Sequence, residues 1–220
     1  MKDKPTLTTR HHAGGTRPTE RDVHARTQLI AAAKFVFERD GFHDARIVDI
    51  AAAAKVGVGT FYRHFPSKVD AFCAVIADTF DEIYVGGATR SLSPDDSAEQ
   101  IAAANRRFFQ QYRRHAKLHA LLEQLAPIDD QVRQIYLDGR ARATERIARS
   151  ITAMQAAGLA TTDLDAIQAA RLLVAMTNNY AHLCFSLGEG FDEELALTTL
   201  NRLWVDGIGL TPSAAPAAAD

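Results

Sequence analysis

Cysteine is scarce in this chain. The 220 residues hold two, Cys73 and Cys184, far apart and each inside a helical pattern. That excludes a disulfide framework and fits a reducing cytoplasm. Long apolar runs are missing too. Polar residues interrupt every one, so no segment is expected to span a membrane. The first residues carry charges but no apolar core, so no secretory signal is expected there. No alternating strand pattern of any length occurs, and no repeat of roughly 20–50 residues. Catalytic constellations are equally absent: no nucleophile–base pair, no carboxylate pair, no glycine-rich phosphate loop. His115, His119 and Glu123 fall at i, i+4 and i+8, a spacing that can hold a metal on one helix face. Lys117 and the adjacent Arg113-Arg114 argue against it, so neither metal nor cofactor is expected.

What is present is an all-α chain with uneven charge. With 47% apolar and 24% charged residues, it has the composition of a globular protein. Residues 1–65 carry 11 Lys and Arg against 7 Asp and Glu. The remainder carries 14 basic and 20 acidic residues. A polyanion would be drawn to the first part and repelled by the second.

The positive part contains residues 46–68, RIVDIAAAAKVGVGTFYRHFPSK. Ile47 to Lys55 reads as a short Ala-rich helix. Val56-Gly57 breaks it. Val58 to Phe65 reads as a second short helix ended by Pro66, and Ser67 restarts a third. Two short helices around a tight glycine-bearing break have the proportions of a helix-turn-helix. Such a motif offers the first turn of its second helix to the DNA major groove.

Around this stretch the pattern is helical throughout. Residues 1–18, with Lys2, Lys4, Arg10 and Arg17 among Thr, Gly and Pro, are expected to be a disordered basic arm. Thr19 and Asp22 form a capping box for a helix that stops at Gly41. Its apolar stripe is expected at Val23, Ile30, Ala33 and Phe37. Ser67 and Asp70 start another helix, expected to run to about Val85 with Ile83 on its apolar face. A loop at 86–97 marks the change of unit. Helices follow at about 97–114, 117–125, 129–157, 163–187 and 192–206. The Ala/Pro-rich end, 211–220, is expected to be disordered. The domains so expected are a head at 19–66 and a body at 67–210.

AAAKFVFERDGF at 31–42 and DIAAAAKVGVGTFYRHFPSK at 49–68 resemble the DNA-binding head of the TetR (tetracycline-repressor) family of transcription regulators. The resemblance spans residues 22–76, about a quarter of the chain, and rests on Gly41-Phe42, Ile50-Ala51, Val56, Gly59-Thr60, Tyr62, His64-Phe65 and Lys68. It implies double-stranded DNA as a partner. Val58, Gly59 and Thr60 would face base edges, with Tyr62, Arg63, His64 and Lys68 on phosphates and Arg46 and Lys55 as further phosphate candidates. Phe61 and Phe65 are assigned to the core. The chain departs from the family at Ala45-Arg46, where Thr or Ser is usual, so Asp44 is expected to cap the second helix. It departs again at Lys55, often Gly, and at Gly57, often Ser.

For the body the resemblance implies a ligand-binding and dimerisation unit, with homodimer contacts through helices 163–187 and 192–206. Ala170, Val174, Thr177, Ala181 and Phe185 make a small-residue stripe suited to close helix contact. Phe108, Phe109, Tyr112, Leu122, Leu125, Tyr136, Met176, Asn179, Tyr180 and Leu183 are the candidates to line a pocket for a small apolar ligand, with Asn179, Tyr112 and Tyr136 orienting it. A filled core accounts for the same residues. The expected function is a cytoplasmic, ligand-responsive repressor released from a near-palindromic operator. An activator would read alike. The rival is a helical small-molecule or lipid carrier, or an enzyme, using the body pocket itself.

Overall fold

The computed structural model describes residues 19–82 and 97–210. The expected basic arm, Ile83, nearly all of the loop at 86–97 and the Ala/Pro-rich end lie outside the described residues. Every regular element among the described residues is helical.

Thr19 opens α1 (Glu20–Asp44) with the capping box read from sequence. Gly41, at φ +76°, breaks the helical geometry where a C-cap glycine was expected. The α1 core face is Leu29, Ala32, Ala33, Val36 and Phe37. This spacing of i, i+3, i+4, i+7 and i+8 corrects the expected stripe. Ile30 is only half-buried and Val23, six residues before the first core contact, stays exposed.

Two short helices follow, α2 (Ile47–Ala53) and α3 (Val58–His64). At seven residues each they are too short to persist alone. Burial of Ile50, Ala51, Phe61 and Phe65 holds them on α1. Arg46 is the N-cap of α2 and makes no side-chain cap bond, so Asp44 does not cap it. Between the two helices Lys55 adopts φ +56°, the left-handed region where a glycine would be unstrained.

The next helix, α4 (Lys68–Phe80), belongs to both parts of the chain. Ser67 caps it, accepting from the Asp70 amide. Its α geometry ends at Phe80, with Asp81 and Glu82 in a wider π turn, and the expected run to Val85 lies outside the described residues. Phe72 meets Phe37 and Phe42 with ring centroids 5.3 Å from each. Burying such a ring contributes roughly 1.5–3 kcal/mol. One core runs without a break from α1–α3 through α4 to Leu118, Leu122, Ala126 and Val132.

The body comprises α5 (Ser97–Arg114), α6 (Ala116–Leu125), α7 (Asp130–Ala156), α8 (Ala166–Ala181) and α9 (Glu193–Gly207). Asp165, not Asp163, caps α8 through the Gln168 amide. A π turn, His182–Ser186, extends α8. α7 packs along α8, and α5 along α9. Ile101, Phe109, Ile151, Met154, Leu173, Leu197, Leu200 and Trp204 form a second core there. The small-residue stripe of α8 is turned into the chain. Ala170, Val174, Thr177 and Ala181 are buried, and Thr177 Oγ1 accepts from Trp204 Nε1 at 3.0 Å. Small residues let α8 approach its own neighbours, so their spacing alone did not mark a face for another chain.

Candidate nucleic-acid interface

The face of α3 is set by two phenylalanines. Phe61 and Phe65, four residues apart, are 0% and 2% exposed. Helical geometry then turns Val58, Gly59, Tyr62 and Arg63 outward, and all four are exposed. Thr60 and His64 lie half-buried at the edges of this face. A Cβ added at Gly59 would meet nothing within 4 Å, so the fold itself does not require glycine there.

The cations around α3 differ in their freedom. Arg46 makes a bidentate pair with Asp49, at 2.8 and 3.0 Å, and is well exposed. The Arg46 guanidinium in turn holds the Asp49 carboxyl below its ordinary range. Arg63 lies 3.6 Å from Asp22, whose carboxylate already serves the capping box of α1. Lys55 stands exposed at the turn.

Lys68 is bound most firmly. Its ammonium donates to the carbonyls of His43 and Ala45, at 3.0 and 2.9 Å, and sits 4.7 Å over the Phe42 ring. Partial burial lowers its pKa from the ordinary lysine value. Two of its three N–H bonds therefore fasten the α1–α2 corner to the start of α4. No local pattern signals this second task, because the carbonyls lie 25 and 23 residues away.

The candidate pocket residues of the body do not line one cavity. Phe108, Phe109, Met176 and Tyr180 belong to the core between α5, α7, α8 and α9. Leu122, Leu125 and Tyr136 belong to the core shared with the head. Tyr112 is buried against His119, their rings stacked with centroids 4.1 Å apart. Tyr136 donates to Glu123 Oε1 at 2.7 Å, and burial pushes its hydroxyl up to about 12. Asn179 is exposed and Leu183 half-buried. A shallow recess of about 470 Å³ between α7 and the start of α8 contains none of them.

Two further features were missed in the sequence. Gly139 sits inside α7, where an added Cβ would stand 2.6 Å from the Phe80 ring. A glycine in a helix interior was the available signal. His182 is the other, and no pattern marked it. Of the three residues whose spacing could hold a metal, Glu123 is engaged by Tyr136, and His115 Nε2 lies 2.9 Å from Glu82 Oε2. No group of three metal-ligating side chains converges among the described residues. None of the described helices is long and apolar enough to cross a membrane.

Residues 29–75 match the profile of bacterial regulatory proteins of the tetR family. The chain is 33% identical over 99 residues to the HTH-type transcriptional activator FasR of Mycolicibacterium smegmatis, covering 44% of this chain and 45% of that protein. It is 32% identical over 83 residues to the HTH-type transcriptional regulator CymR of Pseudomonas putida, covering 37% and 41%. These matches span less than half the length of either relative. Similar solved structures reach further. A TetR-family regulator from Syntrophomonas wolfei superposes with a TM-score of 0.71 at 18% identity, over 88% of this chain and all of that one. The fatty acid degradation regulator FadR of Bacillus halodurans gives 0.66 at 19%, over 84% and 97%. At such identities the structures speak for a common fold. The matched family consists of regulatory proteins, not enzymes.

Proposed function

We propose that this chain, whose residues 29–75 match the tetR family of bacterial regulatory proteins, acts as a homodimeric, ligand-responsive DNA-binding regulator. In this reading it is a repressor, released from a near-palindromic operator by a small, mostly apolar molecule bound in the body. The observation that carries the DNA-binding part is the outward face of α3. Phe61 and Phe65 anchor it, and Gly59 is left open on a surface where the fold has no use for a glycine.

Each side chain on this face and at its edges then takes a role that its chemistry allows. Val58 touches a thymine methyl, and Thr60 offers a hydroxyl and a methyl to base edges. Gly59 lets the backbone approach the bases closely. Tyr62 and His64 donate to phosphates, and Arg46, Lys55 and Arg63 supply charge along the backbone. Lys68 keeps one N–H for a phosphate at the start of α4, where the helix terminus adds its own amides. Sequence discrimination rests on the first turn of α3 alone, so most of the affinity would come from phosphates and fall with salt.

Control by a ligand requires a path from body to head, and α4 provides one. Gln131 of α7 donates to Asp70 near the start of α4 at 2.9 Å. Lys117 of α6 reaches the Glu38 carbonyl of α1 at 3.2 Å. A ligand that favours one seating of α4 over another would shift DNA affinity by the difference in its own affinity for the two states, typically about 5–150-fold.

The test is Gly59→Ala, read in two ways on an operator selected from genomic fragments. Alanine should leave the fold intact and raise stability by roughly 0.5–1 kcal/mol, because it favours the helix. Its methyl should hold the α3 backbone away from the bases. Gel-shift affinity for the operator should then fall at least about tenfold, equivalent to about 1.4 kcal/mol. A stable variant that binds the operator as well as the parent would show that α3 does not face the bases.

A further inference from the structure

The interior between α4, α6 and the π turn after α8 holds polar atoms without partners. His115 Nδ1, His119 Nε2 and His182 Nδ1 are all buried and make no hydrogen bond. Each such atom costs roughly 1–3 kcal/mol, so three in one region call for a physical reason. His119 is the deepest, at 5% exposure. Its ring borders a narrow gap whose other walls are Ile76, Thr79, Phe80, Leu118 and Leu122. Thr79 already donates its hydroxyl to the Val75 carbonyl at 2.8 Å. His119 is therefore the residue lining this gap that carries an unpartnered polar atom, Nε2. As it stands the gap is too narrow for a water molecule.

The backbone is irregular at the same place. The π turn begins at His182, whose carbonyl accepts from the Leu187 amide at 3.1 Å. Such turns are rare, and they recur at functional sites because they re-aim the side chains of a helix. Here the turn packs against α6, the helix that carries His119.

We propose that this gap is the seat of the body's ligand, and that the ligand joins a neutral hydroxyl, of the phenol or alcohol type, to an apolar frame, with the hydroxyl pairing to His119 Nε2. The proposal rests on the ligand-responsive reading above and names the class of molecule. A hydroxyl both donates and accepts, so it satisfies either tautomer of an imidazole. A hydrocarbon would leave Nε2 unpaired. A carboxylate would need a counter-charge, and burial holds the imidazole neutral, pushing His119 down to about 3. Lys34, the basic side chain on this side of α1, is already paired with Glu82 at 3.5 Å.

Seating such a molecule requires the gap to widen, and that acts on α4. Phe80 forms one wall. Two residues on, Glu82 bridges Lys34 of α1 and His115 at the α5–α6 corner. Movement of this end of α4 reaches the head through that bridge and through Lys68 at the other end.

The experiment uses the full-length protein with 15N-labelled histidine and three probes: 4-propylphenol, propylbenzene and 4-propylbenzoate. 4-Propylphenol is expected to raise the melting temperature and to move the His119 imidazole nitrogen signals, while the other two do neither at the same concentration. His119→Leu should weaken binding of 4-propylphenol about tenfold, the value of one hydrogen bond to a buried group. His119→Gln, which keeps a donor and an acceptor, should recover most of that loss. Equal binding of the three probes, no binding of 4-propylphenol at millimolar concentration, or binding that leaves the His119 signals unmoved would overturn the proposal. Gel shifts separate it from the reading beneath. Should the phenol bind at His119 with operator affinity unchanged, the site stands and ligand-responsive regulation falls.

Discussion

His119 shows how strongly position can change one side chain. Its ring lies face to face with Tyr112 and edge-on to Phe80, with centroids 4.1 and 6.2 Å away. Burial is the main cause of its depressed pKa, and the neighbouring His115 and His182 push the same way. The folded protein keeps this imidazole neutral down to about pH 3. In the unfolded chain it takes up a proton below the ordinary value of about 6.5. Between those limits the unfolded state binds the additional proton, so stability falls as pH falls. The contribution is fully present above about pH 6.5 and is lost progressively towards pH 3. Urea unfolding at pH 7.5 and 5.5 measures it. The parent should lose about 1.4 kcal/mol more than His119→Gln over that interval, one proton at one unit below the unfolded pKa. Equal losses would show that the folded protein protonates His119. At this scale the legible residues were those whose work is local. Thr19, Ser67 and Gly41 act on backbone within a few residues, and each was read from the sequence. The buried stacking of His119 and the carbonyl bonds of Lys68 were not, because those surroundings come from residues distant in the chain.

The joint between α4 and α7 decides how the two parts of the chain are held. Gly139 lets the α7 backbone lie directly on the Phe80 ring, where any Cβ would stand 2.6 Å from two ring carbons. Phe80 is 3% exposed and has Gly139 on one side and His119 on the other. In an open helix, alanine for glycine would stabilise by about 1 kcal/mol. Here the ring must be displaced, and overpacking of a filled core costs typically about 1–3 kcal/mol. Gly139→Ala is therefore expected to lower stability by a net amount of up to about 2 kcal/mol. Adding Phe80→Leu, which shortens the obstructing side chain, should restore part of the loss. Thermal or urea unfolding of both variants decides it: an alanine variant as stable as the parent would mean that α4 and α7 are not in close contact. Element positions were readable because caps, glycines and 3.6-residue periodicity are properties of a segment. Which faces meet was less so. Val23 fits the period of α1 yet is exposed, and the small-residue stripe of α8 packs on its own chain.

At the scale of the whole molecule, the apolar residues left on the surface are informative. α8 and α9 keep Leu172, Leu195 and Leu203 exposed at 71%, 65% and 51%. Leu195 and Leu203, eight residues apart, share one face of α9. Exposed leucines of this size on helix faces are candidates for an interaction surface. Their place on the two helices that the TetR resemblance assigns to dimer contacts makes a second copy the proposed occupant. This replaces the α8 stripe read from the sequence with the opposite face of the same helix. The difference was illegible because either face suits close packing, and only the folded chain shows which one remains free. A dimer would double the 24.0 kDa of one chain and place two α3 helices on one operator. Linking two weak heads in this way raises affinity by roughly 10²–10⁴. Leu172→Asp with Leu203→Asp puts a carboxylate at two points of this face, where pairing would strand them from water. Light scattering should then report the mass of a single chain, with helical content unchanged by circular dichroism. Operator affinity should fall at least about 100-fold, while the weak binding to random DNA that one head can make persists. A variant that stays dimeric would move the interface elsewhere. A monomer that binds the operator as tightly as the parent would remove the two-headed mode of binding altogether.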